Sequence, residues 1–575
     1  MRRQYKGSIF TLLALAITLV GMLGVTFVFA KGQSHNIVHT GLATSAQPAT
    51  ANVVIRHTVD MSTVPAAVAS SPLSQSPRTM PWLTGVSQSV YAQRKAAAAH
   101  NKNAPVDAHP YADTSVDGPF TPTTLVKFKG LADSAKICPY FGGCQPPDQA
   151  LATSPNWVLQ GVNTSFAVYN TTGTKQTGWP KNSQKFFGVP SPGSCDPAGP
   201  FMSDPRAFYD PIDGRFWVAE LQVEGALGLN SCPELTRYWI AVSQTNNPNG
   251  VWNVYAFDMS LSTTNVADYT EFGFDQTAIY FSGNMFSQDG TVYEYAESFS
   301  ALKSTMEAGS SVTAYGFDKF SANGVLLDTV QPVENEASSG PGAGLLIDSF
   351  NGNGDGTHDC FSTACSGLVV WAIANPGTSS ASATGVIAST SISYIAPPNA
   401  DDPGCTACIE TLDTRISGTP VYQSGLISFA LESAINNGTR NVPGIFWGQV
   451  QPTISSGKIT GASVTLNGTF AFTGDRAASF GALMATKTGN LLMVFDTMSS
   501  ALDPSIMYAT RLTTDIGGFE APKFLKKSLV PTNNTRWGDY EATSYDGTST
   551  NNVWFAAQDS GLNADWATFM GKVNF

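Results

Sequence analysis

From about residue 120 to residue 575 the chain is built of runs of four to seven β-branched and aromatic residues, bounded by Gly, Asn, Asp and Pro. Such runs predict strands. They include Trp157 to Val162, Phe166 to Tyr169, Arg215 to Glu220, Tyr238 to Val242, Ala278 to Phe281, Leu368 to Ile373, Leu426 to Ala430, Leu491 to Phe495 and Val553 to Ala557. Their apolar and polar positions alternate, which predicts antiparallel strands with one buried face. No amphipathic helix longer than about a dozen residues interrupts them, so βαβ architectures are excluded.

A weak repeat sets the expected topology. A polar opening followed by two or three aromatic strands recurs near Asp148, Asp204, Asp268, Gly344, Arg415, Asp475 and Asp539, at spacings of 56, 64, 76, 71, 60 and 64 residues. Four-stranded blades around a channel fit such a period. The expectation is an all-β fold, a β-propeller of seven blades with six or eight as the margin; two stacked sandwiches are the rival. Thr124 to Lys129 offers a strand that completes the ring from the other end of the domain.

The first 119 residues read differently. Arg2, Arg3 and Lys6 precede an uncharged stretch from Gly7 to Ala30, and Val28-Phe29-Ala30 supplies small residues at the cleavage positions. Residues 1–30 are therefore expected to be a signal peptide, with an uncleaved signal anchor as the alternative. Residues 31–119 are rich in Ala, Ser, Thr, Gln and Pro and show no sustained period. They predict a disordered, low-complexity stalk with one transient helix near Val90 to His100; a propeptide or cell-wall tether is the rival. Residues 120–575 form the propeller domain.

Charge narrows the partners. Residues 1–119 carry nine Lys/Arg against four Asp/Glu, whereas residues 120–575 carry 22 against 39. An acidic body repels phosphate backbones, which argues against nucleic-acid partners. Hydrophobic residues make up 42% of the chain, enough to bury a large core, so disorder throughout is excluded.

Five of the six histidines precede the body, leaving His358 alone within it. A Ser-His-Asp triad or a His-rich zinc site cannot then be assembled without it. The eight cysteines form an even set in an exported chain, and local pairing is simplest: Cys138 with Cys144, Cys195 with Cys232, Cys360 with Cys365, Cys405 with Cys408. A four-thiolate zinc knot from the last two pairs is the sharper alternative. Asn351, Asn353, Asp355, Thr357 and Asp359 place oxygens at alternate positions of a Gly-rich loop, the first half of a calcium site, against the plainer reading of a stapled hairpin tip.

Charged residues at the polar openings are the remaining candidates. If each begins an innermost strand, Asp148, Asp204, Arg206, Asp268, Arg415, Arg476, Arg536 and Asp539 face one channel mouth. There they would bind a sugar by bidentate hydrogen bonds, with Trp537 and Tyr540 as stacking faces. Two of the carboxylates, Asp204 and Asp539, would suit glycoside hydrolysis. The competing reading is that such groups tie loops and adjacent blades together.

Four segments carry a family resemblance: Pro146 to Asn170, Ser203 to Ala219, Ile240 to Asp258 and Arg536 to Asp546. They resemble secreted bacterial β-propeller proteins of largely unassigned activity, loosely sialidase-like in architecture. A sialidase likeness implies Asp-box turns, and Ser287-Gln288-Asp289-Gly290-Thr291 comes one residue short of that pattern. The function expected is a secreted or cell-surface, monomeric module that binds an extracellular glycan or protein. The alternative is a carboxylate-dependent glycoside hydrolase or lyase with its site at the channel mouth.

Overall fold

The computed structural model describes residues 44–69, 78–79, 85–112, 122–138, 144–190, 201–223, 236–337, 340–350, 360–532, 534–547, 551–561 and 565–575. The expected signal peptide, the Cys195–Cys232 pairing, the calcium loop and His358 lie outside these residues.

Each run of apolar residues predicted as a strand is a strand, and consecutive strands form antiparallel meanders. The first sheet joins Ala150–Thr153, Trp157–Val162, Ser165–Asn170 and Lys181–Asn182. Four-stranded meanders follow over 201–258, 266–322, 331–394, 421–470 and 477–526. The last sheet combines Ala542–Tyr545, Asn552–Ser560 and Trp566–Asn574 with Thr123–Ala132 from far upstream. That upstream strand contains the segment expected to complete the ring.

Hydrogen bonds link each sheet to the next around a closed cycle. Asp204 N–H donates to Asn163 Oδ1 (2.8 Å), Thr270 N–H to Asp204 Oδ2 (3.2 Å), and Gln331 Nε2 to Glu271 Oε1 (3.1 Å). Tyr422 N–H then donates to the Glu334 carbonyl (2.8 Å), Ser417 Oγ to that of Gly481 (3.0 Å), and Trp537 Nε1 to Asp496 Oδ2 (2.6 Å). Asp539 N–H returns the cycle to Asp148 Oδ1 (2.9 Å). The arrangement is all-β and propeller-like, and stacked sandwiches do not describe it.

Because sheets pack against neighbours on both sides, their middle strands are buried on both faces. Ala278–Phe286 and Leu491–Ser499 are buried at every position. The simple alternation expected from sequence survives on outer strands such as Thr123–Ala132 and Lys458–Phe470, whose backbones are partly exposed. Six of the seven polar openings adjoin or lie in the first strand of a sheet. Gly344 instead starts the second strand of its sheet, because the first, Gln331–Pro332, is two residues long and carries no hydrophobic run.

The expected disordered stalk is corrected over two stretches. Thr44–Asp60 is a 17-residue strand inserted between two outer strands, pairing with Thr313–Ala322 through its first half and with Val251–Asp258 through its second. It thereby fuses two meanders into one ten-stranded sheet. Its alternating burial shows why composition missed it: a strand on the rim needs only every second side chain to be apolar, and Ala, Val and Ile at those places suffice. The helix expected near Val90 to His100 is present as α1, Gln88–Ala98, docked rather than free: it begins at Ser87, whose Oγ accepts from Val90 N–H, and buries Tyr91, Lys95 and Ala98.

Three disulfides pair as expected, Cys138–Cys144, Cys360–Cys365 and Cys405–Cys408. This excludes the zinc knot, since bridged sulfurs do not ligate as thiolates. Among the described residues no helix is long and apolar enough to cross a membrane.

Candidate functional site

The openings of the first strands share a backbone device. Asp148, Asp204, Tyr269, Leu412 and Phe480 all have φ between 44° and 58°. The left-handed region is uncommon for residues other than Gly. Around Tyr269 and Phe480 the strand pairing also slips, between Asp268 and Glu271 and between Ser479 and Ala482. Such bulges re-aim side chains, and here they turn polar groups out of the ladder toward the centre.

Seven of the charged residues singled out from sequence lie in one electrostatic network. Asp148, Asp204 and Asp539 each place a carboxylate oxygen within 4.8 Å of the others. Asp148 accepts from Asp539 N–H through Oδ1 and from Asn163 Nδ2 (2.8 Å) through Oδ2. Asp204 accepts from Ser203 Oγ (2.9 Å) and Thr270 N–H. Burial, followed by the charge of Asp539, pushes the carboxyls of Asp148 and Asp204 up. Burial, with Asp204 next, does the same to Asp268. Unlike the other three, Asp268 keeps appreciable solvent exposure.

Each of the three central arginines already has a carboxylate. Arg206 Nη2 donates to Glu271, Arg415 forks onto Asp413 (2.9 and 2.7 Å), and Arg536 forks onto Asp539. Arg206 also lies 3.3 Å from the ring centroid of Tyr540, and Arg415 lies 4.4 Å from that of Tyr269. The two tyrosine rings meet edge to face at 6.0 Å. Glu271 is pushed up to about 8 by burial, with Arg206 opposing; Asp413 is held below the usual carboxylate range because Arg415 outweighs its burial.

Three expectations are corrected. Arg476 lies elsewhere: its Nε donates to Thr497 Oγ1 (2.9 Å) and its guanidinium sits 4.1 Å from the Phe472 centroid, within the packing of the sixth sheet. Trp537 is fully buried, its indole N–H engaged by Asp496, so it offers no open face. Tyr540 is 1% exposed, donates to the Pro205 carbonyl (3.0 Å) and carries Arg206 on its ring. An aromatic beside a buried guanidinium is a better partner for that cation than for a ligand.

The sequence reading missed Glu271, Asp413, Asn163, Tyr269 and the Asp496–Glu541 pair, whose Asp496 is pushed up to about 8 by burial. Asp413-Thr414-Arg415 and Arg536 to Asp539 are local pairs, and their spacing was a usable signal. Glu271 and Arg206 are 65 residues apart and had none. Helix α1 was missed as a contributor: Lys95 Nζ donates to Thr411 Oγ1 (2.9 Å) and lies 3.4 Å from Glu410 Oε1, and Tyr91 Oη donates to the same carboxylate (3.1 Å).

No protein-family model and no curated protein matches the chain. Solved structures match loosely. They include a Hadza microbial sialidase (8% identity, 74% of this chain, TM-score 0.33), of which this chain spans 65%. A Penicillium chrysogenum α-L-arabinanase complexed with arabinobiose matches at 12% identity over 64% of this chain and 92% of its own, TM-score 0.35. A polysaccharide lyase, an ulvan lyase, matches at 12% over 74% and 94%, TM-score 0.36. Likeness at this level leaves the reading of the site to the chain's own geometry.

Proposed function

We propose that the protein is an extracellular seven-bladed propeller whose central polar cluster opens onto a glycan-binding mouth. The cyclic hydrogen bonding of seven meanders supports the blade count. The observation that carries the binding reading is the state of the cluster: each central guanidinium is committed to a carboxyl group, while Asp268 is only partly buried and its carboxyl is pushed up, by burial first and then by the charge of Asp204. A neutral carboxyl both donates and accepts, which matches sugar hydroxyls. Buried ion pairs around it supply a rigid frame and are costly to break.

Immobilised polysaccharides and a panel of oligosaccharides test this. Binding by the full chain is expected, with Asp268→Ala weakening it about tenfold, the loss of one good hydrogen bond. Absence of binding across neutral and acidic glycans removes the reading.

One observation favours turnover as a second reading. A carboxyl lifted toward neutrality beside a guanidinium-bound carboxylate, here Asp204 and Asp539, is the pairing glycoside hydrolysis uses. Chromophore release from a glycoside panel, abolished by Asp539→Asn, would establish it.

A further inference from the structure

Away from the central cluster, a buried lysine contacts two carboxylates, with a third beside them, where the second and third sheets adjoin. Lys303 opens the short helix α2, Lys303–Glu307, and Asp210 ends the strand Phe201–Asp210. Lys303 is 1% exposed and Asp210 is fully buried. The Lys303 ammonium is in direct contact with Asp210 Oδ2 and lies 2.9 Å from Asp213 Oδ2. It also stands 5.8 Å from the ring centroid of Phe274, which stacks on Phe208 at 4.1 Å.

Glu307, one turn along α2, completes the group: Asp210, Asp213 and Glu307 place carboxylate oxygens within 4.8 Å of one another. Its Oε1 is buried and accepts no hydrogen bond. On the far side of Asp210, Oδ1 accepts the backbone N–H of Ile212 at 2.9 Å.

We propose that Lys303 and Asp210 are the partners of an intramolecular isopeptide bond, formed with Glu307 as proton relay. Burial favours the free amine, but Asp210 and Asp213 outweigh it and hold the Lys303 ammonium above its usual range, so transfer of one proton from Nζ to Asp210, giving an amine beside a carboxylic acid, must precede attack. The Nζ lone pair attacks Asp210 Cγ. The Ile212 N–H stays on Oδ1 and stabilises the charge that builds there. Glu307 takes a proton from Nζ and returns it to Oδ2, the Cγ–Oδ2 bond breaks, and one water leaves as the amide forms.

The redox state of every atom is unchanged, so no co-reactant is needed. Burial pushes Glu307 up to about 7, which lets it accept and give the proton near neutrality; Asp213, Lys303, Asp210 and Arg215 are the charged groups that face it. Fixed contact between the reacting groups replaces the entropy of bringing them together. The bond would join residues 93 apart and lock two adjacent sheets.

Intact-mass measurement of the purified, reduced and denatured chain tests this directly. The expected mass is one water below that of the linear chain, with a branched peptide joining the fragments that carry Asp210 and Lys303. Lys303→Arg and Glu307→Gln are expected to restore the full mass. Asp210→Asn is expected to yield the same cross-link with loss of ammonia. A wild-type chain of full mass with linear Asp210 and Lys303 peptides overturns the proposal whatever the variants do, and a cross-link that persists in Glu307→Gln overturns the relay.

Discussion

Asp413 neutralises Arg415 through two hydrogen bonds while both are almost inaccessible to water. Asp413→Ala leaves a guanidinium buried without its counter-ion, and the expected cost is about 3–5 kcal/mol, read from the chemical denaturation midpoint. Replacing both residues by apolar ones is expected to cost less than that single change. The pH dependence has the opposite character to ordinary acid denaturation. Glu271 and Asp496 rise from 4.5 and 3.8 to about 8 on folding, so the folded chain binds their protons more tightly than the unfolded one. Their contribution is therefore full below the unfolded values and is lost as pH climbs from about 4 to 8. Asp496→Asn is expected to flatten the fall in melting temperature over that window. At this scale the strand openings singled out Asp148, Asp204, Arg206, Asp268, Arg415, Arg536 and Asp539, which lie together, but also Arg476, which does not, and they passed over Glu271 and Asp413. Which of them are already paired was hidden, since partners such as Arg206 and Glu271 meet only in three dimensions.

Secondary elements tell a second story, in which the N-terminal region is part of the fold. Ser87 caps α1, and Ser87→Ala is expected to lower stability by about 1 kcal/mol, provided the helix stays docked through Lys95 and Tyr91. Deleting Thr44–Asp60 uncovers the edges of Val251–Asp258 and Thr313–Ala322 at once. Open edges recruit other strands, so the truncated protein is expected to form oligomers detectable by light scattering, alongside a lower melting temperature. Strand identity was legible from β-branched and aromatic runs such as Trp157–Val162, whose bounds the structure reproduces. The rim strand was not: its residues are small and polar, and its stability comes from two neighbours far along the chain.

Across the described residues, successive four-stranded meanders are joined by hydrogen bonds in an all-β, propeller-like arrangement. Six of the polar openings read from the sequence fall at or beside a first strand, and the exception, Gly344, reflects a first strand too short to leave a hydrophobic trace. Removing residues 542–575 deletes three strands of the last sheet and leaves Thr123–Ala132 without its partner. Such a chain is expected to melt at a lower temperature and over a broader range than the full chain, read by calorimetry, since the first and sixth sheets would face water where they now face a neighbour.

The pairing of Thr123–Ala132 with Trp566–Asn574 also fixes when this chain can finish folding. Whether it is delivered from a ribosome or threaded through a translocation pore, the early half of the clasp must wait until Trp566–Asn574 has emerged before it finds its mate. Until then the inner edge of that upstream strand has no partner in the last sheet.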